Sequence, residues 1–181
     1  MLKKKNRDII IGSNNTGKIK EIRDLLPKSY KILTPNNFNL RSPKENGKTF
    51  IENSLIKAEY YSKKSGKICI ADDSGLEINY LNKAPGIFSA RWGGKNGNFN
   101  IAIKKIFREL NKKDKKWREK KIAASFICAL TIYGLKKKPI HSLGVVRGLI
   151  SSKKKGKNGF GYDPIFIPEG RTLTFGQMQP S

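Results

Sequence analysis

Seven residues, Gly12-Ser13-Asn14-Asn15-Thr16-Gly17-Lys18, stand between the β-branched run Ile9-Ile10-Ile11 and a helical pattern carried by Ile19, Ile22, Leu25 and Leu26. A strand that turns through a small polar loop into a helix presents first-turn amides without partners of their own at the positive end of the helix dipole. Glycines let the backbone approach an anion closely, and Lys18 adds a full charge. The expectation is a phosphate site formed by Ser13, Asn14, Asn15, Thr16, Gly17 and Lys18. An ordinary strand-to-helix loop rich in turn formers is the plainer alternative. The spacing also satisfies the Gly-x4-Gly-Lys part of a P-loop, but Ile19 stands where that motif needs a Ser or Thr to hold magnesium. The segment therefore reads as phosphate bound here and metal held elsewhere.

Carboxylates are scarce, which makes adjacent ones informative. Of six aspartates, Asp72 and Asp73 are neighbours in Ala71-Asp72-Asp73-Ser74-Gly75-Leu76, expected directly after a buried strand Ile68–Ala71. Strand alternation sends the two side chains to opposite faces, so at most one enters a given cleft. Ligands of open α/β sheets gather at the carboxyl ends of strands, although Asp-Ser-Gly is equally ordinary turn chemistry. Asp163, in an aromatic and glycine-rich loop, and Glu45, in a long polar loop, are the remaining candidates. No zinc-type ligand spacing exists, and His141 is the only histidine. A metal must then be held by oxygen, which favours magnesium or manganese. The parts add up to a hydrolase acting on a nucleoside phosphate. A cationic loop holds phosphate, a carboxylate holds magnesium and orients water, and the loop Phe160-Gly161-Tyr162-Asp163 covers a base.

These groups need a scaffold, and the apolar pattern supplies an α/β one. Arg7 to Ile11 reads as a strand, Lys18 to Leu26 as a helix stopped by Pro27, and Tyr30 to Leu33 as a short strand. Residues 34–48 form a long loop of the kind that is often functional. Thr49 opens a helix that turns Phe50, Ser54, Leu55, Ala58 and Tyr61 to the core, and Thr49 with Glu52 matches a capping box. Phe99, Ala102, Ile103, Ile106, Phe107 and Leu110 recur at helical spacing, with Lys104, Lys105, Arg108 and Lys112 mostly outside. After a basic stretch, Lys112 to Lys121, come strands Ile122 to Tyr133 and Ile140 to Val146, joined as a hairpin through Gly134 and three lysines. Lys153 to Gly159 is a basic loop that leads into Phe160.

Length and charge bound the rest. The 181 residues suit one domain, which would bury about 70% of what the unfolded chain exposes. Lys and Arg number 38 against 14 acids, a net charge of +24 that attracts polyanions at long range. Lys, Asn and Ile are generally enriched, as a biased coding composition would produce, so the charge is discounted as a sign of a dedicated nucleic-acid binder. Cys69 and Cys128 each fall in an apolar β-type run and read as small buried hydrophobes in a reducing compartment. No apolar run reaches membrane-spanning length, and Met1-Leu2-Lys3-Lys4-Lys5 is followed by charge rather than a signal-peptide core. A cytoplasmic protein is expected.

Five segments in order resemble the inosine triphosphate pyrophosphatase family over nearly the whole chain. They are Ser13-Asn14-Asn15-Thr16-Gly17-Lys18, Asn46 to Ala58, Ala71-Asp72-Asp73-Ser74-Gly75-Leu76, Ala84-Pro85-Gly86-Ile87-Phe88-Ser89-Ala90-Arg91, and Gly159-Phe160-Gly161-Tyr162-Asp163-Pro164-Ile165-Phe166. The resemblance implies an α/β fold with an elongated, mixed, twisted sheet and flanking helices, two lobes around a central cleft, and a homodimer. It implies hydrolysis of deaminated purine triphosphates to the monophosphate and pyrophosphate. Residues 13–18 would grip the triphosphate, and Lys57 would face the phosphates. Asp73 would be the catalytic carboxylate that binds magnesium and activates water, and Ser74 would touch substrate. Phe160 would stack on the base, with Gly161, Tyr162 and Asp163 completing that wall.

Two departures stand out. The family commonly carries two acids before its Gly-x-Thr-Phe stretch, the first a metal ligand. Here the pair is Lys44-Glu45, which leaves Glu45, with Asp72, as a candidate ligand beside Asp73. The sequence also ends at Phe175-Gly176-Gln177-Met178-Gln179-Pro180-Ser181, where the family continues through a lysine and a Ser-His-Arg segment into a last helix, so a single domain lacking that helix is expected. The alternatives are a P-loop-like phosphotransferase, disfavoured by Ile19, and a basic nucleic-acid-binding module.

Overall fold

The computed structural model describes residues 8–94 and 97–179. Its elements are β1 (Asp8–Ile11), α1 (Thr16–Leu25), β2 (Lys31–Leu33), α2 (Phe50–Ser65), β3 (Ile68–Ile78), α3 (Phe99–Lys113), β4 (Ala123–Tyr133), β5 (Ile140–Ile150) and β6 (Phe166–Pro168). They build a sheet of order β2-β1-β3-β4-β5-β6. The sheet is mixed, since β1 runs parallel to both β2 and β3 while β5 and β6 are antiparallel. Arg7, expected in the first strand, lies outside the described residues. No helix among the described residues is long and apolar enough to cross a membrane.

Element boundaries follow local chemistry. Helix α1 starts earlier than its apolar pattern because the Asn15 side chain caps it, accepting from the Gly17 and Lys18 amides at 2.9 and 3.2 Å. It ends as Leu26 turns extended before Pro27. Thr49 caps α2 as expected, accepting from the Glu52 amide at 3.1 Å. The reciprocal half of the capping box is displaced by one residue, because Glu52 accepts from the Lys48 amide at 2.6 Å. The long loop holds one short helical turn, Pro35–Phe38.

The main correction concerns β3. Asp72, Asp73, Ser74 and Gly75 do not follow the strand but lie inside it, since β3 continues to Ile78. Local turn chemistry is overridden because both carboxylates find cationic partners while the backbone stays in the sheet.

The chain forms two compact units. One comprises residues up to Asp73 with Ala129–Leu143, the other Ser74–Cys128 with Gly144 onward. In the first, alternation along the paired strands sorts side chains cleanly. Ile9, Ile11 and Ile70 pack with Ile22 of α1, while Ile10, Cys69 and Ala71 pack with Ala58 and Tyr61 of α2. The two helices therefore cover opposite faces, and the order β2-β1-β3 reverses direction at β1. In the second unit α3 buries Ala102, Ile103, Ile106 and Leu110 against Leu76, Ile78 and Trp117. Cys128 departs from expectation. Cys69 is buried and Cys128 is exposed, because at that point of β4 the alternation turns Ile127 and Ala129 inward instead.

Gly12 explains how the first loop leaves the sheet. A Cβ there would lie 2.8 Å from the Tyr61 ring and 3.0 Å from both Ala71 and Cys69. Gly12→Ala is expected to destabilise the protein by about 1–3 kcal/mol through overpacking, measured by urea denaturation. An unchanged midpoint would show that this packing relaxes freely.

Candidate active site

The first unit gathers most of the residues singled out by their chemistry. Register pairs Ile11 with Ile70, so the loop that follows β1 emerges beside the stretch of β3 that carries Asp72 and Asp73. This is the carboxyl end of parallel strands at the point where strand order reverses, the usual ligand position in open α/β sheets. Alternation along β3 then separates the two acids. Asp72 shares the α1 face and pairs with Lys18 at 2.7 Å, whereas Asp73 shares the α2 face and lies 3.7 Å from Lys57.

The loop itself is more self-satisfied than the sequence suggests. Ser13 Oγ accepts from the Asn15 amide at 3.1 Å, and Asn15 Oδ1 takes the Gly17 and Lys18 amides. Asn14 donates to Ser42 of the long loop at 3.0 Å. An anion at this loop would meet the positive end of the α1 dipole and would compete with Asp72 for the Lys18 ammonium.

Around Asp73 the structure builds a tight polar cluster. The Lys57 ammonium bridges Glu45, at 3.1 Å, and Asp73 Oδ1. Asn53, fully buried, donates through Nδ2 to Asp73 Oδ2 at 3.1 Å. Its Oδ1 accepts from the Gly47 amide at 2.9 Å. Burial lifts the Asp73 carboxyl above the usual carboxylate range. The Lys57 ammonium opposes that rise, Glu45 adds to it, and the Asn53 amide and Lys18 oppose it more weakly. Burial also pushes the Cys69 thiol up to about 12, which makes it a packing group rather than a nucleophile.

Asn53 escaped the sequence reading. Its signal was the placing of polar residues, Asn53, Ser54 and Lys57, on the buried stripe of α2. Ser54 meets Thr131 at 2.6 Å, and Thr131 meets His141 Nδ1 at 2.8 Å, so the histidine is occupied in a hydroxyl chain.

Ser74 and the segment Phe160 to Asp163 belong to the second unit. There Asp163 Oδ2 accepts from the Phe160 amide at 2.7 Å, and Gly159 and Gly161 take positive φ of 69° and 66°. The Tyr162 ring is buried edge-on to Phe99, its hydroxyl donating to the Ser89 carbonyl at 2.8 Å. Phe160 is half-buried at the head of this pinned loop.

A helix start carrying Lys18 and a carboxylate–lysine cluster stand together at the switch point of a parallel α/β unit. The chain belongs to the Ham1 family, whose family model matches residues 9–181. It is 39% identical over 173 residues to a dITP/XTP pyrophosphatase of Caulobacter vibrioides, covering 96% of this chain and 87% of that protein. Among solved structures it resembles a HAM1 protein from Coxiella burnetii, with a TM-score of 0.83 and 37% identity over 96% of this chain and 87% of the other. The Ham1 protein of Staphylococcus aureus gives a TM-score of 0.81 at 36% identity, with 95% and 86% covered.

Proposed function

We propose that this chain hydrolyses deaminated purine nucleoside triphosphates such as ITP, dITP and XTP to the monophosphate and pyrophosphate, clearing them from the nucleotide pool. The observation that carries the reading is the buried Asp73, held by Asn53 and Lys57, one residue from the Asp72 that pairs with the phosphate-loop lysine. The similarity to dITP/XTP pyrophosphatases supplies the substrate class.

The donor set fits a hard divalent cation. Asp73 and Glu45 both present oxygens to one ammonium, and no group of three or more His, Cys, Asp or Glu gathers among the described residues. Two carboxylates without a dedicated cage suit magnesium, which keeps several waters and takes its remaining ligands from substrate phosphates. Asp73 and Glu45 would hold it, whereas Asp72, expected as a further candidate, lies on the other face of the strand, paired with Lys18. When bound, the cation would neutralise phosphate charge and acidify a water. For their part, Lys18 and the start of α1 hold phosphate oxygens, Lys57 faces the same anion, and Asp73 orients the attacking water and accepts its proton. The family resemblance of their sequence motifs assigns Phe160 to the base and Ser74 to the substrate, and within the second unit Asp163 and Tyr162 fix the Phe160 loop. A cytoplasmic homodimer completes the proposal.

Phosphorus NMR of the products tests the bond cleaved. Pyrophosphate and the monophosphate are expected from inosine triphosphate. Orthophosphate with a diphosphate would replace this reading with that of a P-loop-like enzyme.

A further inference from the structure

Asn53 makes its two contacts with opposite ends of one amide. The donor end meets Asp73 Oδ2, and the acceptor end meets the Gly47 amide. Because one partner is an acid and the other an N–H, the orientation of the amide is fixed from both sides. Asp, Ser or an apolar residue cannot supply a donor and an acceptor at this spacing.

What the two partners carry makes the contact more than a buried hydrogen bond. Gly47 lies two residues beyond Glu45, and no Cβ fits there, since it would come within 2.7 Å of Asn53 Oδ1 and of Glu52 Cβ. Glu45 and Asp73 themselves converge on Lys57, which lies one helical turn after Asn53 on α2. Lys57 thus supplies the charge between the carboxylates, while Asn53 holds the backbone of one and the side chain of the other.

We infer that Asn53 is a positioning residue that sets the spacing of Asp73 and Glu45, and hence the geometry of the cation-holding pair. The inference rests on the reading of those two acids as the magnesium ligands. Groups that orient metal ligands are typically worth ~10–100-fold in metal affinity or activity.

Three variants test it with readouts beyond activity. N53A should expose the Gly47 amide to faster hydrogen exchange in the metal-free protein. Its magnesium affinity by calorimetry should fall ~10–100-fold, and its kcat should fall while KM for inosine triphosphate changes little. N53D keeps the acceptor for Gly47 but loses the donor, so Gly47 protection should persist while kcat falls. G47A leaves α2 intact and displaces the segment that bears Glu45, so magnesium affinity should fall with the fold retained. G47A also decides the matter where N53A or N53D fails to fold. Unchanged Gly47 exchange in N53A, or wild-type magnesium affinity in G47A, would overturn the inference. Exchange and calorimetry need no substrate, so wild-type protein that fails to hydrolyse inosine triphosphate would sink the proposed function without deciding the role of Asn53.

Discussion

Asp73→Asn should lower turnover by at least ~100-fold, the low end of what a positioned acid or base contributes, while raising thermal stability slightly at neutral pH. The two effects have one cause. Asp73 is buried and its carboxyl is lifted above the ordinary 3.8, so the ionised form that chemistry needs is the form that folding disfavours. A group with a raised native pKa gives its full stabilisation below the unfolded value and loses it as pH rises through the native one. The wild type therefore carries this cost at neutral pH, and the neutral amide does not. The stability advantage of the variant should shrink as pH falls through the raised pKa towards 3.8. Thermal melts across that range in metal-free buffer, beside steady-state kinetics, measure both. Near-normal turnover would remove Asp73 from the mechanism. Asp72→Asn is the control, since it breaks a pair with Lys18 at 2.7 Å instead and leaves the Asn53 and Lys57 contacts of Asp73 in place.

Residues whose environment is local were legible in the sequence. Ile9 to Ile11, Ile22 of α1 and the α3 stripe bury themselves by their own periodicity, and Thr49 caps its own helix, whereas Leu25 of the α1 pattern is 78% exposed. Asp72 and Asp73 were separable by strand alternation alone, and the structure puts them with α1 and α2 respectively. What could not be read was set by partners distant in sequence. Asp-Ser-Gly is turn chemistry unless Lys18, Lys57 and Asn53 neutralise the acids, and nothing near residue 72 announces those partners. The Asn15 cap likewise hides amides that the motif alone leaves open. Cys128 was misjudged for a simpler reason: an apolar run was read as buried throughout, where Ile127 and Ala129 are buried and Cys128 between them is exposed.

Lys57→Met should produce the largest stability loss of any single change in this cluster. The ammonium is shared by Glu45 and Asp73, at 3.1 and 3.7 Å, and both it and Asp73 are buried. Removing one partner of a buried pair leaves uncompensated charge and typically costs about 3–5 kcal/mol. The partial exposure of Glu45 lets water share that cost, which argues for the lower end. Urea denaturation of the metal-free protein at neutral pH measures it, and the deficit should narrow at acidic pH as the Asp73 carboxyl, already raised by burial, takes up a proton. Magnesium gives the sharper test. If a divalent cation occupies the space between these acids, it substitutes for the missing ammonium, so millimolar magnesium should stabilise the variant more than the wild type by ordinary binding linkage. Turnover should nonetheless stay low, on the order of 100-fold down, because a cation held by the acids does not restore the donor that the proposed mechanism assigns to Lys57 at the phosphate. Equal stabilisation of both proteins by magnesium would place the cation elsewhere, and with it the assignment of Glu45 and Asp73 as its ligands would fall.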